Sequence, residues 1–227
     1  MNYAQYPCDT ATVRRLAAEV GAVACGVAEA APVSPEAIEI YSRWIADGRH
    51  ADMDYMTRYP DVRSDPRLLL EGARSLIVCA FSYFTDEPFG LPVALYARGR
   101  DYHEVVRERL SALASRLTET YGGTTRVCVD TAPLRERHWA IRAGIGIQGL
   151  NNQIIVPGAG SYVFLGTILW TQPLEPTPPL SAAHCGRCGR CVEACPAKAL
   201  SADGSALDAR RCLSYLTIEH SGAFPAG

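Results

Sequence analysis

No stretch of this 227-residue chain is apolar for long enough to cross a membrane. The longest such run, Ser75 to Phe84, is about half of what a spanning helix needs. An export signal is also missing, because Met1-Asn-Tyr-Ala-Gln-Tyr6 has neither the basic start nor the apolar core of one. Neither sign of charge is in excess. With 22 Lys and Arg against 24 Asp and Glu, the formal net charge is −2, so nothing draws the whole molecule to nucleic acid or an acidic membrane. No local basic patch stands out either. Internal repeats and low-complexity tracts are absent, which sets aside repeat architectures. Cysteine is not scarce: there are nine, and without an export signal they point to a reducing cytoplasm, where thiolates stay free to bind metal. The remaining composition, 48% hydrophobic and 20% charged, is that of a soluble globular protein with one large domain or two small ones.

Four of the cysteines form one run, Cys185-Gly-Arg-Cys188-Gly-Arg-Cys191-Val-Glu-Ala-Cys195-Pro196. Gaps of two, two and three residues with a closing proline are the bacterial ferredoxin pattern for [4Fe–4S] clusters. Three thiolates spaced this closely converge on one cube, while the fourth points away from it, and in two-cluster ferredoxins it ligates the other cluster. Zinc prefers two separated Cys-x2-Cys pairs, and a disulfide framework needs no such crowding. The run therefore reads as an iron–sulfur site.

Upstream, helices and strands alternate without a regular repeat, which predicts a mixed α/β fold of the α+β sandwich type. Asp9 caps a helix with Val13, Leu16, Ala17 and Val20 on one face, and Gly21 closes it. A short strand over 22–28 follows, then a helix from Ser34-Pro35 to Gly48. The clearest strand is 75–83, a nearly continuous apolar run suited to a buried sheet. Asp101-Tyr-His-Glu104 has the form of a capping box and opens a long helix ending at Gly122-Gly123. A strand over 125–129 delivers Asp130 at its end, where layered folds commonly place active-site groups. A helix over 133–142, a glycine-dense turn and strands over 153–156 and 161–170 complete the unit. Gln172 to Leu180 carries four prolines and reads as a stiff linker. The expected domains are thus 1–171, a linker at 172–180, and an iron–sulfur module at 181–227.

Several stretches in order carry a resemblance. They are Arg98-Gly-Arg-Asp101-Tyr-His103, Val129-Asp130-Thr-Ala-Pro133, Glu136-Arg137, Arg142-Ala-Gly-Ile-Gly146, Ser161-Tyr-Val-Phe-Leu-Gly166, the cysteine run, and Leu207-Asp-Ala-Arg-Arg-Cys212-Leu-Ser214-Tyr-Leu-Thr-Ile-Glu219. Over nearly the whole chain this resembles the epoxyqueuosine reductases, cobalamin- and iron–sulfur-dependent enzymes related to reductive dehalogenases. The resemblance implies a cobalamin-binding domain joined to a ferredoxin-like domain with two [4Fe–4S] clusters. It also implies reduction of epoxyqueuosine in tRNA, with tRNA and an external electron donor as partners.

On the same grounds, Asp130 is the expected proton donor, and Arg58, Asp130, Ile154, Ser214 and Glu219 are expected cobalamin contacts. Taken alone, Asp130 reads equally well as the cap of a helix starting at Pro133, Arg58 as a solvated charge and Ile154 as core. His103, at a helix start, reads as a surface or cap residue and is not assigned to cobalt. Cys185, Cys188 and Cys191 are the expected ligands of the nearer cluster, and Cys195 and Cys212 of the second. Two sets of four thiolates, less these five, leave three to come from beyond Gly227, so the sequence is expected to be a piece of a longer chain. A single cluster on Cys185, Cys188, Cys191 and Cys212 is the alternative. Cys8, Cys25, Cys79 and Cys128 read as small core residues. Ile147 and Leu150 stand where the resembling family usually has Trp and Lys. Two other functions are open: the same cofactors reducing a small epoxide or organohalide, and a ferredoxin-type electron carrier fused to an inert α/β domain.

Overall fold

A computed structural model describes residues 8–180 and 185–224. Its centre is a four-stranded sheet in the order β1-β2-β6-β3, with β1 Ala24–Glu29, β2 Ser75–Ser82, β3 Thr125–Cys128 and β6 Val163–Trp170. Every pairing is antiparallel, so the mixed fold is of the α+β kind. β2 lies between β1 and β6, which explains its unbroken apolar run: every residue but the last is buried.

Alternate residues of β2 face opposite layers. Ile77, Cys79 and Phe81 pack with Val13, Leu16 and Ala17 of α1 (Thr10–Glu19) and with Val106, Leu110 and Leu113 of α4 (Tyr102–Tyr121). Leu76, Val78 and Ala80 pack with Trp139, Ala140 and Ala143 at α5 (Glu136–Arg142). Two glycines set the approach of these layers. A Cβ on Gly166 would come within 2.5 Å of Leu110, and one on Gly26 within 1.9 Å of the Ala143 carbonyl oxygen. Backbone cannot swing aside as a side chain can. Gly26→Ala is therefore expected to destabilise the fold by about 1–3 kcal/mol or more. An unchanged Tm would show that α5 can back away from β1.

The other helices are α2 (Pro35–Ala46), the one-turn α3 (Pro60–Ser64) and the short α6 (Arg190–Glu193). Asp9 and Ser34 cap α1 and α2 as expected, each accepting a backbone N–H three residues on. Asp101 caps α4 through the His103 N–H, but Glu104 lies toward Arg100 at 3.9 Å, so this is a simple N-cap and not a reciprocal box. The helix expected over 133–142 begins only at Glu136, because 132–136 first runs through two tight turns, Leu134 N–H to Ala132 O and Glu136 N–H to Leu134 O. The glycine-dense turn hides a strand pair, β4 (Ile147–Gln148) with β5 (Ile154–Ile155).

The proline-rich segment is extended and tied down. Thr177 donates its N–H to Val27 O, and its hydroxyl oxygen accepts from Val27 N–H and Arg14. The Leu174 N–H reaches the Ser75 hydroxyl at 2.9 Å. Beyond it, the cysteine module rests on the loop after α2. Trp44 Nε1 donates to Leu207 O at 2.6 Å, Ala209 N–H to Arg49 O at 2.8 Å, and the Tyr215 hydroxyl to the Asp52 carboxylate.

Candidate active site

Asp130 lies two residues beyond the end of β3 and has φ +51°, a left-handed conformation uncommon outside glycine. The Thr131 N–H bonds Val129 O at 2.6 Å, closing a three-residue turn on Asp130. With a positive φ at its centre, that turn is the strained form. Asp130 is not the cap of α5, whose N-cap is Arg135 with no side-chain bond. Instead the Asp130 N–H donates back to Glu136 Oε1 at 2.9 Å. The carboxylate, 53% exposed, is left to turn toward α4.

There it meets His103. Nε2 lies 3.0 Å from Asp130 Oδ2, and Nδ1 lies 2.7 Å from Asp101 Oδ1, so both ring nitrogens face carboxylates. Partial burial disfavours the imidazolium, but bonds to Asp130 and Asp101 outweigh it and raise the His103 pKa above its ordinary value. Tyr102 stacks on His103 at 4.0 Å and on Phe164 at 4.3 Å, fixing the ring plane. Burial, followed by the charge of Asp130, raises the Tyr102 phenol well above its usual range. Asp101, His103 and Asp130 form a chain along which a proton can pass.

On the other side stands Tyr55, in the short turn Asp54–Met56. Burial, then Glu219, then Asp130 push its phenol up to about 12, so Tyr55 links Asp130 to Glu219 electrostatically. Glu219 ends the π-turn Tyr215–Glu219, which Ser214 precedes, so the structure brings Asp130 and Glu219 to one site. Arg58 is exposed close by in sequence. Its carbonyl accepts from Arg63, and its guanidinium makes no bond among the described residues. Ile154 is only 3% exposed and belongs to the core with Ala140 and Ile145, so its side chain is spent on packing. Arg137 donates to the Asn152 carbonyl, and burial lowers its pKa.

The cysteines divide by environment. Cys185 has a lowered pKa through the N–H groups of Arg187 and Leu150, and Cys195 through Ala199, whose N–H is 3.3 Å from the sulfur, then Leu200. Backbone N–H groups aimed at sulfur favour thiolate, the form that binds iron. Cys191 rides on α6, and Cys212 follows the turn Ala209–Arg211. By contrast, burial pushes Cys8 and Cys128 up to about 11, while Cys79 is raised by its neighbour Cys25 and by burial. Cys79 and Cys128 are core residues, as the sequence suggested, and Cys8 and Cys25 pack partly buried against the core. Among the described residues, no three His, Cys, Asp or Glu converge on one ion. Ligands of a cube need not do so, since each binds a different iron. The donor set therefore fits iron–sulfur clusters.

A depression walled by Arg49, Lys198, Asp208, Arg210 and Arg211 shares no residue with the Asp130 site. Ion pairs with Asp47 and Asp208 already occupy two of its arginines. Sequence reasoning gave no role to His103 beyond surface or cap, nor to Glu136. Both act across the fold, and only the resemblance marked their segments.

A family profile described as "Epoxyqueuosine reductase QueG, DUF1730" matches residues 63–131, and one described as "4Fe-4S double cluster binding domain" matches 184–226. An epoxyqueuosine reductase of Cyclobacterium marinum is 38% identical over 222 residues, covering 95% of this chain and 71% of the relative. The solved structure of epoxyqueuosine reductase from Streptococcus thermophilus superposes with a TM-score of 0.82 at 30% identity, over 92% of this chain and 58% of that one. A second solved epoxyqueuosine reductase, crystallised with an epoxyqueuosine-modified tRNA-Tyr stem loop, gives 0.80 at 30% identity, over 90% and 56%. The chain thus spans a little over half the length of these solved relatives. It belongs to the epoxyqueuosine reductase family.

Proposed function

We propose that the protein reduces the epoxide of epoxyqueuosine in tRNA to the alkene of queuosine. The reaction breaks both carbon–oxygen bonds of the epoxide, forms the carbon–carbon double bond, and takes two electrons and two protons to release the oxygen as water. The chain of Asp101, His103 and Asp130 carries this reading, because it ends in an exposed carboxyl group. Asp130 donates a proton to the leaving oxygen, and His103, charged and held by Asp101, returns one to it. A carrier of electrons alone would have no use for that chain.

Residues 181–227 serve as the iron–sulfur module, with Cys185, Cys188 and Cys191 for one cluster and Cys195 and Cys212 for the other. Residues 1–171 serve as the catalytic unit, and 172–180 join the two. Cobalamin, when bound, supplies the reducing electrons at its cobalt. The Arg58 guanidinium, which makes no bond among the described residues, and the Tyr55–Glu219 pairing suit such a ligand, with Ser214 and the Ile154 backbone as further contacts. Leu150, in place of the family's lysine, is buried and packs near Gly204, so it offers RNA no charge.

The assay is anaerobic: full-length protein, cobalamin, a chemical reductant, and tRNA from cells that accumulate epoxyqueuosine. The nucleoside is expected to lose one oxygen in mass. Persistence of epoxyqueuosine while a small epoxide or organohalide is consumed would move the substrate to that class. No reduction of either would leave an electron carrier.

A further inference from the structure

The bond from the Asp130 N–H to Glu136 serves neither sheet nor helix capping, yet it joins the proposed acid to the first residue of α5. We propose that Glu136 is a positioning residue, a latch that holds the Asp130 turn in its strained, site-facing conformation. The inference rests on the reading of Asp130 as proton donor. Its own test reads the turn directly.

A left-handed non-glycine residue at the centre of a three-residue turn is strained, and it persists only where its surroundings hold it. After β3, the Asp130 N–H has no strand to bond. Glu136 Oε1 supplies the acceptor at 2.9 Å, six residues on, and so closes the loop 130–136 on itself. Two further restraints, the buried side chains of Val129 and Leu134, fix its ends in opposite layers of the core. The Thr131 N–H to Val129 O bond closes the turn locally, and the bond to Glu136 ties the Asp130 backbone to α5. His103 holds the carboxylate, but a side-chain bond can follow the turn as it moves, whereas a backbone bond cannot.

Glu136 is half-buried, facing Asp130, His103 and Tyr102, with Cys128 of β3 behind it and Arg137 beside it on α5. Burial pushes its carboxyl up to about 7, against the opposing pull of the Asp130 N–H. A carboxyl kept there despite that burial, and bonded to the backbone N–H of the acid, has a use in holding the acid.

The experiment compares Glu136→Gln, which keeps an oxygen acceptor, with Glu136→Met, which keeps size and helix preference but accepts nothing. Hydrogen exchange of the full-length, cluster-loaded protein without substrate is followed in peptides covering 129–135 and, as a control, 75–82 and 163–170. Met is expected to speed exchange in 129–135 alone, with Gln close to the native protein. In the epoxyqueuosine assay, Met should lower kcat on the order of 10²-fold, the scale of a misplaced catalytic group. KM for tRNA should change little, and Gln should recover most of kcat. The proposal is overturned if Met leaves 129–135 as protected as before, if exchange rises equally in the control strands, or if Gln loosens the turn as much as Met. If only the assay fails while the exchange result holds, the latch stands and the reading of Asp130 falls.

Discussion

Asp130→Asn is expected to lower single-turnover reduction of epoxyqueuosine by about 10²- to 10⁴-fold, the range a positioned general acid contributes. Asparagine keeps the size, the N–H bond to Glu136 and the tolerance for positive φ, so the turn should keep its shape. What goes is the transferable proton and one of the two carboxylates that face His103. The change therefore has a second signature. His103 has its pKa raised in the fold by Asp130 and Asp101, against burial. Its protonated form thus contributes stability that is fully present below about pH 6.5, the ordinary histidine value, and is lost as pH rises through the folded value. In Asp130→Asn, the His103 titration followed by NMR should move down, and that part of the pH dependence should shrink. Retained turnover would remove Asp130 from the chemistry, even if the His103 titration shifted as expected.

Cys191→Ala is expected to abolish turnover with the chemical reductant and to remove about four irons per chain, one cube's worth. Cys191 lies on α6, is partly buried and belongs to neither core cluster. The loss would therefore report ligation rather than folding. Cys79→Ala is the contrast: it lies fully buried in the sheet and should cost stability while leaving iron unchanged. Iron content unaltered in Cys191→Ala would remove this residue from the ligand set. Zinc in place of iron would overturn the cluster assignment for the whole run.

Legibility in the sequence followed how local each determinant is. α1, α2 and α4 declare themselves through a cap, a face and a stop, and β2 through its apolar run, so each was found within a few residues. β5 falls within the strand expected over 153–156, but β4 did not declare itself, because its pairing partner, not its composition, makes Ile147–Gln148 a strand. Pro133 looked like the first residue of a helix. Tight turns before Glu136 override that preference, and they are what brings Glu136 back to Asp130. The cysteine run was fully legible because iron ligation is written in spacing. The acid's surroundings were not: Asp130 and His103 are 27 residues apart, and Tyr55 and Glu219 farther still.

The strap at Thr177 has a consequence for how copies of this protein meet one another. β1 is an outer strand of the sheet, and such strands invite another chain to add to them, the usual first step of aggregation. Thr177 occupies both the N–H and the carbonyl of Val27, and Arg14 takes the carbonyl of Cys25. The prolines on either side of Thr177 have no N–H to offer onward, so the added row cannot itself be extended. The same proline-rich segment that leads into the cysteine module thus closes the β1 edge of the sheet against self-association.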